Sequence, residues 1–547
     1  MSNIIATRNL IRLLEESKYV ICWSAREGKD GPDYSGEFIQ ENKACIGHGE
    51  KDKPEMYKVF RGAPNNALII LKSVLPGELR IKGYGSLIDR NEFKDNHDWT
   101  CIQVKWKWNG VRDPVILENP SLAASLTQSL VHLNDNKRNE LVKTLKNYHY
   151  SCLKKDQIVS MLLANKQIVF TGAPGTGKTW KAKEKAFELV VDGYPQESEQ
   201  YKFHVEFVQF HPSYDYTDFM EGFRPFISKN TYNQSQKNYQ LGFQLKNGVF
   251  KEFCRKAGVI ERILFKFKNE ITSIDELRNR VPEFCGLPNK DEVDKKVKET
   301  IEEFWKTWIE KNKEKIEEIL KELREDRKTR KDLLKELAAT LPPFVFIIDE
   351  INRAELSKVF GELMYSLEPD YRGEEGKVKT QYANMNTPET WFIDEKDDRF
   401  FIPTNVYIIG TMNDIDRSVE IFDFALRRRF AWNKLEVDGV MDYVLGGMLK
   451  GTPWENKIEQ IKDKAKSLNK EIVKDDWGLN EDYKIGPAYF GKIKEYGDGE
   501  DAYKKLWDNH LRLLLFEYKR GTGQEDDFVK DCKKAFLGSG DGKQQTE

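Results

Sequence analysis

Eight residues, Gly172-Ala173-Pro174-Gly175-Thr176-Gly177-Lys178-Thr179, read G-x-x-x-x-G-K-T directly after the apolar run Ile168-Val169-Phe170. A strand, a glycine-rich loop and a helix N-terminus in that order build a phosphate cradle. The glycines let backbone N–H groups turn inward around a triphosphate. Lys178 reaches the β- and γ-phosphates, and the Thr179 hydroxyl is placed to ligate Mg²⁺. About 170 residues downstream, Phe344-Val345-Phe346-Ile347-Ile348 ends in Asp349-Glu350. An apolar strand buried in a parallel sheet opens its C-terminal end at the ligand crevice. Asp349 there can support the metal, and Glu350 can orient or polarise an attacking water. A third run, Asn405 to Met412, ends in Asn413 with Asp416 and Arg417 close behind. Its polar end is suited to the γ-phosphate or the hydrolytic water. Arg427-Arg428-Arg429 then follow a short helix. Three cations exceed what a helix C-terminus needs, and one of Arg428 or Arg429 could act as an arginine finger across a subunit boundary.

These side chains need a sheet to hold them. Runs at Gln167–Thr171, Val205–Phe210, Phe344–Ile348 and Val406–Gly410, alternating with helices, predict an α/β P-loop core over residues 166–432. Residues 1–120, rich in aromatics and short β-type runs, predict a small β-rich α+β domain. A helical connector is expected over 121–165, a helical subdomain over 433–537 and a disordered tail over 538–547. Between the second and third runs lies a Lys/Glu-rich insert, about 261–339. There Trp305, Trp308, Ile309, Ile316, Ile319, Leu320 and Leu323 fall at helical spacing. That spacing predicts a long amphipathic helix, paired into a coiled-coil-like hairpin, either a solvated structural insert or an arm that contacts a partner.

At 547 residues the chain is too long for one core. Lys+Arg at 88 against Asp+Glu at 90 argues against a uniformly basic nucleic-acid coat, though not against a local basic face. The seven cysteines form no C-x-x-C pair, which predicts buried thiols in a reducing, cytoplasmic setting over a disulfide framework. No leader pattern or membrane-length apolar run is present, so no membrane partner is expected.

Phosphate loop, Asp-Glu strand end, polar strand end and arginine cluster in this order resemble an AAA+ ATPase-type domain. Several segments more narrowly resemble the McrB family, the GTP-hydrolysing motor of modification-dependent restriction systems. They are Val208-Gln209-Phe210-His211-Pro212-Ser213-Tyr214-Asp215-Tyr216-Thr217-Asp218-Phe219 with Glu221-Gly222, and Ile348-Asp349-Glu350-Ile351-Asn352-Arg353-Ala354 with Ser357 to Leu363. Gly410-Thr411-Met412-Asn413-Asp414-Ile415-Asp416-Arg417-Ser418 and Ile485-Gly486-Pro487-Ala488-Tyr489-Phe490 complete the set. The resemblance covers about residues 150–520. It implies a hexameric ring with nucleotide between subunits, Asn413 and Asp416 as the catalytic signature, and a McrC-like nuclease subunit that stimulates hydrolysis and cuts DNA. GTP rests on the resemblance alone, because no N-K-x-D guanine motif is in place, and ATP stays the alternative. No nuclease signature is present, so cleavage is assigned to the partner.

The family's N-terminal readers are unrelated to one another. Here Trp23, Trp99, Trp106, Trp108 and Tyr84 stand among Arg26, Arg61, Arg80, Lys82, Arg90, Lys105 and Lys107. An aromatic pocket with a basic rim would suit a flipped modified base in DNA. Residues Asn66–Ser73 and Pro76–Gly85 are similar to PUA-like (EVE or YTH) readers. The alternative is that the tryptophans are core, and the aromatic face of the strand carrying Trp106 and Trp108 is then the core face. The competing function is a slowly hydrolysing scaffold of a defence system that senses a protein or small-molecule signal.

Overall fold

The computed structural model describes residues 3–25, 32–46, 50–75, 77–111, 114–128, 130–190, 199–230, 238–267, 270–271, 273–285, 292–324, 336, 340–387, 390–391, 399–415, 424–499 and 501–538. The chain divides into two compact units, 1–160 with 187–202, and 161–186 with 203–547.

The first unit is built on one mixed sheet. Strands β1 (Val20–Ser24), β2 (Lys43–Ile46), β3 (Leu68–Leu75), β4 (Glu78–Lys94), β5 (Thr100–Asn109), β6 (Val115–Glu118) and β7 (Leu130–His132) lie in the order β2-β5-β4-β3-β1-β7, with β6 on β4. Helices Asn3–Glu16 and Asp135–Lys155 cover one face through Leu10, Leu14, Leu141 and Leu145. Phe38, Tyr57 and Phe60 fill the other. The stretch 121–165 therefore supplies a strand and a packing helix to this sheet. Cys45 and Cys101, expected as thiols, are joined in a disulfide, because the β2–β5 register sets them directly opposite one another. Cys22, Cys254, Cys285 and Cys532 are buried thiols.

The second unit holds a five-stranded, fully parallel sheet. Its strands are β8 (Gln167–Thr171), β9 (Val205–Gln209), β12 (Phe344–Asp349), β13 (Val406–Thr411) and β14 (Ala431–Lys434), in the order β14-β8-β13-β12-β9. The three central strands are buried almost throughout, as the apolar runs demand of a sheet covered on both faces. An antiparallel hairpin, β10 (Glu221–Asn230) with β11 (Asn238–Asn247), projects after β9. The segment His211 to Phe219 is largely architectural. Asp215 caps a short helix, and Tyr216 and Phe219 are buried, with Phe219 stacked on Phe250 at 4.6 Å.

The insert is part of this core. Its helices Ile274–Phe284, Glu292–Lys311 and Lys313–Arg324 break at Asn312, and Trp305, Ile309, Ile316, Ile319 and Leu320 are buried in the same cluster as the sheet. Trp305 stacks on Phe344 of β12 and donates its indole N–H to the Lys256 carbonyl. The charged residues are the outer face of helices seated on the sheet. Leu323 and residues 325–335 and 337–339 lie outside what can be described of side chains there.

After Lys434 the chain is helical, gathered around Met441, Leu445, Trp454, Leu468, Phe490, Trp507 and Phe528. Ala173 of the glycine-rich loop belongs to this same cluster. The C-terminal helices therefore form a lid whose apolar core takes in Ala173 of the phosphate loop. The tail 539–547 lies outside the described residues. No helix among the described residues is long and apolar enough to cross a membrane.

Candidate active site

Register brings the chemistry together. Lys434 of β14 is opposite Thr171 of β8, Thr411 of β13 opposite Phe170, Gly410 opposite Ile348 of β12, and Asp349 opposite Gln209 of β9. The residues beyond these pairs, Gly172–Thr179, Met412–Asp414 and Glu350, all emerge at the C-terminal edge, where open α/β sheets bind ligands.

The loop Gly172–Thr179 wraps the start of helix Lys178–Leu189. Gly175 sits at φ +81°, in the left-handed region, and a Cβ there would lie 2.6 Å from the Tyr489 ring. Lys178 folds over the loop, its Nζ donating to the carbonyls of Gly172 at 2.9 Å and Ala173 at 2.8 Å. Burial pushes the Lys178 ammonium down to about 8, while Asp414, Glu350 and Asp349 pull the other way. Thr179 Oγ1 and Thr411 Oγ1 both donate to Asp349 Oδ1, each at 2.6 Å. That convergence holds one carboxylate oxygen and orients the acid toward the loop.

Glu350 is in the left-handed region at φ +53°, ψ +48°, an unusual place for a side-chain-bearing residue. Strain of this kind, of order 1–3 kcal/mol, persists where the surroundings fix it. Here the Thr411 hydroxyl accepts the Glu350 N–H, Asn413 Nδ2 donates to Glu350 Oε1 at 2.7 Å, and Arg353 Nε donates to Oε2 at 3.2 Å. The carboxylate is thus turned and held by two donors, as a water-orienting base requires.

The lid closes the loop from the other side. Gly486 N–H donates to the Pro174 carbonyl and Ala488 N–H to the Gly175 carbonyl, each at 2.9 Å. A Cβ on Gly486 would meet the Gly175 carbonyl carbon at 2.2 Å, so backbone touches backbone here. Trp180, next to Thr179, stacks on Tyr443 of the lid helix Val437–Leu449 at 4.6 Å.

The structure brings together Gly172–Thr179, Asp349, Glu350 and Asn413. Asp416 and Arg417 lie outside the described residues. The arginine cluster is elsewhere and its members differ. Arg427 lies over Trp432, Arg429 pairs with Glu368 at 3.2 Å, and Arg428 is exposed. The Arg429 carbonyl accepts the side-chain amide of Gln167, the first residue of β8. The cluster therefore sits at the end of β8 opposite the phosphate loop, about 16 Å away at 3.3 Å per residue. It cannot reach its own loop. Sequence reasoning missed Asp414, whose backbone N–H lies 3.4 Å from the Gly172 carbonyl, and the lid contacts of Gly486 and Ala488.

In the first unit, Trp23, Tyr84 and Trp108 are buried core residues. Trp99 and Trp106 are half-buried, the latter donating its indole N–H to the Phe38 carbonyl. Arg61 pairs with Glu50 and Glu92, Arg80 with Glu78 and Lys82 with Asp33, whereas Lys105 and Lys107 are exposed on β5. Arg26 and the side chain of Arg90 lie outside the described residues.

Residues 295–430 match the family AAA domain (dynein-related subfamily). Over 368 residues the chain is 29% identical to the Type IV methyl-directed restriction enzyme EcoKMcrB subunit of Escherichia coli (strain K12), covering 66% of this chain and 56% of that protein. Over 191 residues it is 31% identical to the Type II restriction enzyme BsuMI component YdiS of Bacillus subtilis (strain 168), covering 34% of this chain and 53% of that one. The chain spans about half the length of each of these relatives.

Proposed function

We infer that this chain, a member of the McrB family of AAA+ proteins, is a GTP-hydrolysing motor that assembles as a ring, reads modified DNA through its first unit and drives a McrC-like nuclease. The coarser part of that reading, a nucleotide hydrolase of a restriction system, follows from the family itself. The observation that supports hydrolysis is the convergence of three strand ends on Asp349 and Glu350, with Thr179 and Thr411 on one carboxylate and Asn413 and Arg353 on the other, while GTP and the nuclease partner rest on the family resemblance.

The residues then divide the work. Loop N–H groups and Lys178 bind the β- and γ-phosphates. Thr179 and Asp349 are the residues that would hold Mg²⁺, since a hydroxyl and a carboxylate already in contact form a hard-oxygen donor set that fits it. Mg²⁺ supplies charge neutralisation on the phosphates when bound. Glu350, fixed by Asn413, orients the attacking water and accepts its proton as the water oxygen bonds to the γ-phosphorus and the bond to the β-phosphate oxygen breaks. We assign Asp416 to support Asn413 or a neighbouring arginine, as the family signature implies.

Because Arg428 and Arg429 lie at the far end of β8, either can serve only a neighbouring copy's nucleotide. Arg428, exposed where Arg429 is paired, is the better candidate. This geometry supports an oligomer, and the hexamer comes from the family. For DNA the supporting features are Lys105 and Lys107 with half-buried Trp99 and Trp106. The experiment is steady-state hydrolysis of GTP and ATP side by side, with Lys178→Ala as the blank. GTP-selective turnover lost in the variant is expected. ATP-selective turnover overturns the substrate assignment, and no turnover of either, even with a McrC-like partner added, overturns the motor in favour of a scaffold.

A further inference from the structure

Asp414 follows Asn413 at the end of β13, and its backbone N–H faces the Gly172 carbonyl, which also accepts Lys178 Nζ. The residue is partly buried, and no hydrogen bond reaches its carboxylate from any other described residue. Lys434, the other lysine that acts on it, is engaged elsewhere. Lys434 Nζ donates to Asp482 Oδ1 of the lid at 2.8 Å and lies 3.8 Å from Glu436. Burial and Asp482 raise the Asp414 carboxyl, while Lys178 and Lys434 lower it. Among the carboxylates drawing on Lys178, Asp414 acts most strongly, ahead of Glu350 and Asp349.

Neither role already given to a carboxylate suits Asp414. Among the described residues it is not bonded to Thr179 as Asp349 is, and no amide turns it as Asn413 turns Glu350. What remains is its charge. A carboxylate beside the loop lysine attracts that lysine when the cradle is empty and repels a polyphosphate when it is filled. Both effects have the same sign: they weaken binding.

We propose that Asp414 is an anionic counterweight that holds down the affinity of the phosphate loop for nucleotide and hastens departure of the diphosphate product. The proposal rests on the loop being the nucleotide site. A motor that must empty its site each cycle gains from such a residue, since a cradle of loop amides, Lys178 and metal alone would retain the diphosphate.

The test is direct binding of mant-GTP, mant-ATP and mant-GDP, with Mg²⁺, to the full chain and to Asp414→Asn, Asp414→Glu and Lys178→Ala. Asp414→Asn should bind about tenfold more tightly, a change of about 1.4 kcal/mol. It should also release mant-GDP more slowly by a similar factor, and Asp414→Glu should match the parent. Asp414→Ser, smaller than the native side chain, gives the same answer should the amide disturb the turn. Unchanged or weaker binding by both neutral variants overturns the counterweight, and weaker binding would make Asp414 a ligand contact. If the parent binds no better than Lys178→Ala, the nucleotide site itself is wrong, a result distinct from failure at Asp414.

Discussion

The contact between Gly486 and the phosphate loop makes one substitution unusually diagnostic. Gly486 adopts φ −74°, ψ 159°, a conformation open to any residue, so Gly486→Ala carries no backbone penalty of its own. Its added methyl would lie 2.2 Å from the Gly175 carbonyl carbon and 2.5 Å from the Thr176 nitrogen, both backbone atoms with no rotamer to escape into. Lid or loop must move. Moving either breaks the bonds from Gly486 to Pro174 and from Ala488 to Gly175, each worth about 0.5–1.5 kcal/mol net. Overpacking adds about 1–3 kcal/mol. Together these give about 2–6 kcal/mol, and the midpoint of about 4 kcal/mol corresponds to roughly a thousandfold loss in nucleotide affinity. The assay is mant-nucleotide binding, with thermal unfolding to establish that the protein is folded. Affinity within threefold of the parent in a folded Gly486→Ala protein would refute the claim that the lid shapes the cradle.

Two further expectations follow from the site and its supports. Glu350→Gln keeps nucleotide binding but lowers turnover by about 10²–10⁴, the range for loss of a general base, and turnover equal to the parent would remove Glu350 from that role. Glu261, buried and bonded by Thr404 N–H and Oγ1, is pushed by burial to about 7 from an ordinary 4.5. Between those values the folded chain holds a proton the unfolded chain has released, so stability falls as pH rises from about 4.5 to 7 and is flat above. Glu261→Gln should remove this slope and gain up to about 3 kcal/mol over the parent at pH 8 but little at pH 4.5, read as the difference in Tm.

The sheet was legible where its chemistry is strongest. Strands β8, β12 and β13 are buried on both faces and so appear as unbroken apolar runs, and the residues at their ends could be named before any coordinates. Strand β14, Ala431-Trp432-Asn433-Lys434, is a half-buried edge strand and was hidden behind the arginines. The hairpin β10–β11 was missed because Pro225 and interspersed polar residues break its alternation, which only an exposed hairpin tolerates. Periodicity located the apolar face of the insert but not what covers it, since that depends on Phe344 and Lys256, remote in sequence. The arginines were a cluster by composition. Glu368 and Trp432, which distinguish Arg429 and Arg427 from Arg428, are tertiary neighbours. Asp414 lies between Asn413 and Asp416, and its place beside the Gly172 carbonyl depends on tertiary structure.

Strand β8 carries the phosphate loop at one end and, through Gln167, the arginine turn at the other. On the reading proposed above, each copy owns half of two different sites, and defects should complement. A copy with Lys178→Ala has no working site of its own yet still lends its arginine. A copy with Arg428→Ala has a sound loop but starves its neighbour. Mixed in equal amounts into one closed ring, two proteins inactive alone would form about one competent interface in four by random placement. The strand turns the subunit boundary into the genetic unit of the enzyme.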